Sequence, residues 1–496
     1  MKILYIIPIF LLAFVSCEDL NVENLNSPDT ETVLSDSDGI ESITAGLFKF
    51  WFSVGHDASY SFGTETPARA MWYMADCGTV FWSNFGAVDL SMEPREAYIN
   101  DVTYPYHWVG EAYYKNMYDV LTSSTDVINI LDNGMQIGGN GEDTDMVKAV
   151  AYFTQGLANG YLGLIFDKSV LISSIADYET MEFSSYKDVV AKGIEQIENA
   201  IEICENSEFV LPTSWIPGDE WSNVELARLA HSYIARLLVY SSRNSTQNSQ
   251  VDWTKVLEHT EKGIKKDFAP LGDGVAGSWK SYFHMKTAAS GWGKIDMRIV
   301  NMLDPNIPST FPESGLYTDL PNNGLAISDD QRLNIDFEYN TENSRPDRGY
   351  YRWTTYRYKR LDDYINNNGI NKRIIDFRLS ENELLMAEAK YNLDDYEGAA
   401  TLINNGTRIT RGGLAAIGNT KEEVWNAIWY ERNIELILSG IGIEYFDMRR
   451  FDQLQKGTML HFPVPAQQLQ LIPAEIYTYG GEFGVPGEDI SIGGWK

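Results

Sequence analysis

The sequence predicts a mostly α-helical protein, a scaffold of paired helices interrupted by one long irregular region. Three observations predict it. Apolar residues recur at helical spacing through several long segments; Ala149, Phe153, Leu157 and Tyr161, for example, fall at four-residue steps. A helix–turn–helix is written between Glu383 and Asn404, with Asp394-Asp395 at its turn and small or aromatic residues where two helices meet. Between Asp267 and Lys372, Gly, Pro, Asn and aromatic residues replace helical spacing.

The chain opens with Lys2 and an uncharged apolar run, Ile3 to Val15. A membrane-spanning helix needs ~20 such residues, so this run has the length of a signal peptide, 1–16, removed on export. Ser16 precedes Cys17, the arrangement of a lipoprotein cleavage site, and Cys17 is the expected lipidation position. An ordinary secreted protein with a chance cysteine is the alternative. Glu18 and Asp19 follow, and residues 17–38, rich in Asn, Asp, Ser and Thr, form the expected tether.

Residues 39–496 are expected to form a single domain in three parts, since helical repeat scaffolds exceed the usual domain length as one unit. The first, 39–266, carries helices near Ile40–Phe52, Val109–Leu131, Asp145–Leu164, Ser185–Cys204, Glu225–Ser241 and Trp253–Lys265. The second, 267–372, is loop-rich, with a strand or hairpin near Tyr350–Tyr358. The third, 373–496, holds the helix–turn–helix and a last long helix, Thr420 to Leu438. Ala387, Tyr391, Tyr396 and Ala399 stand where a tetratricopeptide-like pair places its packing residues.

Net charge is −31. Such a surface repels phosphate backbones, so nucleic acid is not an expected partner, and the field favours a neutral ligand over a polyanion. Cys77 and Cys204 lack metal-type spacing; they either pair in an oxidising compartment or stay buried as thiols. The six histidines show no HExxH spacing, and neither a GxSxG elbow nor a P-loop occurs. No cofactor or metal is called for, and the chain is read as a binding protein, not an enzyme.

Motifs near the C-terminus carry a family resemblance. Tyr430-Glu431-Arg432-Asn433-Ile434-Glu435-Leu436 is followed by Phe446-Asp447-Met448-Arg449-Arg450-Phe451, then Gly457-Thr458 and Phe462-Pro463-Val464-Pro465. Leu384-Leu385-Met386-Ala387-Glu388-Ala389 lies upstream, and the mature chain opens on Asp19-Leu20-Asn21-Val22-Glu23-Asn24. In this order the chain resembles the SusD/RagB family of outer-membrane nutrient-binding lipoproteins. It departs at Ser439-Gly440-Ile441-Gly442-Ile443-Glu444, longer than the family's Glu-Gly-x-Arg and without its Arg. The resemblance implies a SusD-like fold whose loops and small β-hairpins form the ligand face. It also implies a lipid-anchored position on the cell exterior at the outer membrane, beside a SusC-like TonB-dependent transporter that receives the captured glycan. The motif itself reads as structural: Glu431, Glu435, Arg432 and Arg449 or Arg450 are expected to pair and lock the last helix to the following turn.

Sugars present flat C–H faces that stack on Trp and Tyr, and hydroxyls that pair with Asn, Asp and Arg. Two aromatic segments outside helical periodicity fit that chemistry. Arg69, Trp72, Tyr73, Trp82 and Asn84 come from the first. Trp279 and Trp292 come from the second, with Tyr350 and Trp353 beyond. Most of the 13 Trp, 29 Tyr and 21 Phe must be packing residues, so each candidate competes with a core role. A peptide ligand, as in RagB-like members, and a surface glycoside hydrolase using an Asp/Glu pair are the alternative functions.

Overall fold

The computed structural model describes residues 33–56, 67–80, 86–172, 182–312, 317–340 and 354–495. The expected signal peptide, Cys17 and most of the tether lie outside them.

The periodic segments form helices because each has one apolar face to bury. α1 (Ser37–Gly55) turns Ile40, Leu47, Phe48, Trp51 and Phe52 inward. After α2 (Pro67–Met74) come α3 (Trp108–Asp132), α4 (Thr144–Ile165), α5 (Tyr186–Asn206), α6 (Asn223–Tyr240) and α7 (Trp253–Lys262). Ser185, Ser222 and Asp252 cap the last three by accepting from the N–H of Asp188, Glu225 and Lys255. Successive helices from α3 to α7 pack side by side, and α1 lies across α3 and α4.

α4 is the centre of this layer, with every residue from Phe153 to Ile165 buried. It meets α5 through glycines. A Cβ on Gly193 would lie 2.6 Å from Gly160 N and 2.7 Å from Gly156 O, so the two backbones touch where side chains are missing. The C-terminal carbonyls of α4 are held by two buried cations. Arg243 donates to Leu164 O at 2.5 Å and Gly163 O at 2.6 Å, and Arg449 donates to Leu164 O at 3.0 Å. Positive charge is favourable at this end of the helix dipole.

The region 267–372, expected to be irregular, contains short helices: α8 (Tyr282–Ala288), α9 (Met297–Leu303), α10 (Arg332–Asp336) and α11 (Asp362–Asn366). At five to seven residues each they are too short to show a period. Two-stranded antiparallel pairs accompany them. β1 (Gly78–Val80) pairs with β6 (Gly293–Ile295), and β7 (Phe337–Tyr339) with β8 (Tyr356–Tyr358). Between these in sequence, β2 (Lys168–Val170) pairs with β3 (Phe183–Ser185) and β4 (Val210–Leu211) with β5 (Trp221–Ser222).

The C-terminal part adds α12 (Leu379–Asn392), α13 (Tyr396–Asn405), α14 (Lys421–Ile434) and α15 (Ile443–Arg450). α12 and α13 form the expected pair: Ala387 and Ala399 are buried, and the Tyr391 and Tyr396 rings meet edge to face at 5.5 Å. The last long helix ends at Ile434 and not at Leu438, because Leu438 (φ 52°) and Gly442 (φ 75°) take the left-handed turn that starts α15. Buried apolar residues form one continuous cluster from Ile40 to Leu469. Cys77 and Cys204 are unbridged and buried.

The C-terminal motif is structural, with its pairing partly different from expectation. Arg432 does reach the following helix, 2.9 Å from Asp447, whereas Arg450 pairs with the same Asp447 at 2.9 Å within that helix. Glu431 and Glu435 turn the other way, to mid-chain arginines: Glu431 to Arg332 at 2.7 Å, Glu435 to Arg411 at 2.6 Å and Arg360 at 3.0 Å. Arg449 pairs with no carboxylate and donates to backbone carbonyls instead.

Candidate functional site

The register of β1 on β6 joins the two aromatic segments that the sequence separates by some two hundred residues. Gly78 faces Ile295, Thr79 faces Lys294 and Val80 faces Gly293. Val80 therefore lies beside Gly293, the residue after Trp292. β6 also roots a third segment. Asn340 O accepts from Lys294 Nζ at 3.3 Å, and Thr354 donates through its N–H to Ile295 O at 2.8 Å. Asn340 and Thr354, the described residues on either side of 341–353, thus both contact this strand. Two backbone approaches fix this junction. A Cβ on Gly293 would lie 1.7 Å from Thr287 O, and one on Gly78 would lie 1.8 Å from the Trp72 ring.

Trp292 is half-buried at this junction, in a tight turn where its N–H and that of Gly293 both donate to Ala289 O. Lys286 Nζ stands 4.7 Å from the centre of its ring. One helical turn earlier, Tyr282 is half-buried with Lys280 Nζ 4.6 Å from its ring centre. Two ring–cation pairs thus flank α8, Tyr282 with Lys280 at its start and Trp292 with Lys286 beyond its end. Lys280 and Lys286 were not among the predicted residues. The four-residue spacing of Tyr282 and Lys286 is the sequence signal that places them on one helix face.

The other predicted residues divide into two groups. Trp82, Asn84, Tyr350 and Trp353 lie outside the described residues. Trp72, Tyr73, Arg69 and Trp279 are interior: their exposures are 1%, 1%, 3% and 4%. The reason is local packing. All eight residues of α2 are buried, and Trp72 is wedged under Gly78. Trp279 lies against Phe52 at 4.8 Å and Phe48 at 6.4 Å between ring centres. These four serve the core that supports the junction and do not line a ligand face.

A separate open groove of about 560 Å³ lies between α9, the loop 327–330 and α14, lined by Asp304, Asn306, Asp329, Arg408, Asn426 and Tyr430 among others. Its volume suits a small ligand. The hydroxyl of its one ring, Tyr430, is already given to Asp330 at 2.8 Å, so the groove offers less stacking surface than the junction at β6. Among the described residues no group of three or more His, Cys, Asp or Glu is placed to hold a metal ion, and no helix is long and apolar enough to cross a membrane.

The departure in the C-terminal motif has a structural counterpart. Glu444 is buried; its Oε1 accepts from Leu438 N at 2.8 Å, while Oε2 has no hydrogen-bond partner among the described residues. Burial pushes its carboxyl up to about 7, and the hydrogen bonds from backbone N–H groups offset this only in part.

Residues 311–475 match the model of the SusD family. Solved structures share the fold across most of the chain. A SusD superfamily protein from Parabacteroides distasonis superposes with a TM-score of 0.62 at 14% identity, covering 88% of this chain and 97% of that one. A SusD-like carbohydrate binding protein from Bacteroides fragilis gives 0.56 at 13%, covering 84% and 86%. Surface glycan-binding protein A from Bacteroides uniformis gives 0.55 at 14%, covering 88% and 98%. No curated protein matches the chain. The match to the SusD family model over residues 311–475 and the fold shared with these structures make the chain similar to SusD-like proteins.

Proposed function

We propose that this protein captures an oligo- or polysaccharide at the cell surface and delivers it to a SusC-like TonB-dependent transporter, held at the outer membrane by acyl chains on Cys17. The observation that carries the reading is the β1–β6 register. It sets Val80, which precedes the segment with Trp82 and Asn84, beside Gly293, next to Trp292, and Asn340 and Thr354, which flank the segment with Tyr350 and Trp353, contact the same strand. Rings for sugar faces and polar side chains for hydroxyls are what a glycan platform requires. Two of the structural neighbours are named for carbohydrate or glycan binding, which supports the same chemistry here. The net charge of −31 favours a neutral glycan over a polyanionic one. Several acyl chains make the anchor durable, because each buried CH2 contributes ~0.8 kcal/mol.

Affinity electrophoresis tests the reading. Purified protein run through gels containing single polysaccharides should be retarded by at least one, and a peptide mixture should not compete. Release of reducing sugar from the retarding polysaccharide, abolished by one carboxylate substitution, would show a hydrolase instead.

A further inference from the structure

Four buried hydrogen bonds run in line through the core beside the junction. His284 Nε2 meets Leu438 O at 2.8 Å, and His284 Nδ1 meets Ser281 Oγ at 2.7 Å. Ser281 Oγ meets His56 Nδ1 at 3.1 Å, and His56 Nε2 meets Asp376 Oδ1 at 2.8 Å. All five residues are buried. The chain ends on a carbonyl and a carboxylate, and neither can donate. Each of the four bonds needs one proton, but two neutral imidazoles and one hydroxyl carry only three. One ring must therefore hold a second proton.

The surroundings decide which. Asp376 also accepts from the Tyr233 hydroxyl and lies 3.4 Å from Arg236. Arg236 is committed to both oxygens of Glu381, at 2.9 and 2.6 Å. Arg432 adds its charge on the Glu381 side, so the carboxylate that directly faces a relay ring is Asp376, and a second proton belongs on the ring beside it. His56 stands there, stacked on Phe52 with ring centres 4.0 Å apart, which also suits a cation. His284 faces the uncharged Leu438 carbonyl, with Arg378 as its further charged neighbour. The Ser281 N–H donates to the Tyr364 hydroxyl, and the Leu438 N–H donates to Glu444.

We propose that His56 is a buried imidazolium and that the His56–Ser281–His284 relay is a proton-dependent clamp, fixing the helix that carries Tyr282 and Lys286 to the scaffold. Ser281 caps that helix and His56 follows the end of α1, so the relay positions α8 and the turn leading to Trp292. Burial, then a charge on His56, push His284 down to about 3, as expected of the neutral member. Burial pushes the Asp376 carboxyl up, but the hydrogen bond and charge of His56, with Arg236 and Tyr233, outweigh it and hold it at about 2. The protonation state stands on the geometry alone; its effect on ligand affinity rests on the carbohydrate reading.

Nitrogen NMR of protein labelled at histidine tests the proton count, with the His56→Gln variant giving the assignment. At pH 7 one ring should show two protonated nitrogens, lost in that variant, and His284 should show the neutral Nε2–H tautomer. Neutral rings at both positions overturn the proposal, whether or not any polysaccharide binds. Ser281→Ala keeps the His56–Asp376 pair and breaks the relay. Wild-type retention by the polysaccharide should exceed that of Ser281→Ala about tenfold. Equal retention of wild type and Ser281→Ala overturns the clamp. An imidazolium at His56 in a protein retained by no polysaccharide upholds the proton count and overturns the carbohydrate reading instead.

Discussion

Arg450 holds Glu388 with both ends of its guanidinium, Nη1 to Oε1 at 2.5 Å and Nη2 to Oε2 at 2.7 Å, and neither side chain meets solvent. The pair ties α15 to α12, and Asp447 links it to Arg432 on α14. Removing Glu388 leaves Arg450 and Arg432 to share Asp447 where no solvent reaches them. Glu388→Ala should cost ~3–5 kcal/mol, read as a lower urea midpoint. Glu388→Ala combined with Arg450→Met should lose less than the two changes summed; strict additivity would show that the pair is not coupled.

The α4–α5 contact depends on missing side chains. Gly193→Ala would push a methyl to 2.6 Å from Gly160 N and should destabilise by ~1–3 kcal/mol in thermal or urea unfolding. Gly46→Ala is the control. Gly46 lies inside α1 with nothing within 4 Å of its Cβ position, so alanine should stabilise by ~0.5–1 kcal/mol. The same sign at both sites would contradict the packing described.

Trp279 belongs to the core. Its truncation to alanine should cost ~3–5 kcal/mol, with a matching drop in melting temperature. Near-neutral stability would return Trp279 to the list of ligand contacts.

Glu444 gives stability a pH dependence of known sign. Its carboxyl is pushed from the ordinary 4.5 to about 7, so the folded state favours the protonated form. That contribution is complete below about pH 4.5 and is lost as pH rises through about 7. Glu444→Gln lacks the ionisation, so its stability relative to wild type should climb between pH 5 and pH 8. Parallel urea midpoints across that range would remove the assignment.

Cys17 is the proposed anchor. Cys17→Ser should move the protein from the membrane fraction to the soluble fraction and abolish labelling by a radioactive fatty acid. Retention in the membrane without label would place the attachment elsewhere.

Helices were legible where one face is buried and one is wet, as in α1, α3 and α5. The helix α2 was not, because all eight of its residues are buried and no polar face marks a period. That also explains why Trp72 looked like a loop aromatic, whereas Trp279 did so because irregular backbone is itself packed into the core there. The buried arginines were equally hidden. Arg332 reads as a surface residue until the fold brings Glu431 within 2.7 Å from a hundred positions away. Trp292 was singled out by its aromatic setting, whereas its pairing with Lys286 required the α8 turn to be seen.

The account turns on whether the rings gathered at β6 hold a sugar. Titration calorimetry with an oligosaccharide from the retarding polysaccharide, comparing wild type with Trp292→Ala, measures this directly. The expected result is affinity reduced ~10-fold or more, since one stacked ring contributes ~1–3 kcal/mol, with the melting temperature nearly unchanged. Equal affinity in the two proteins would contradict it.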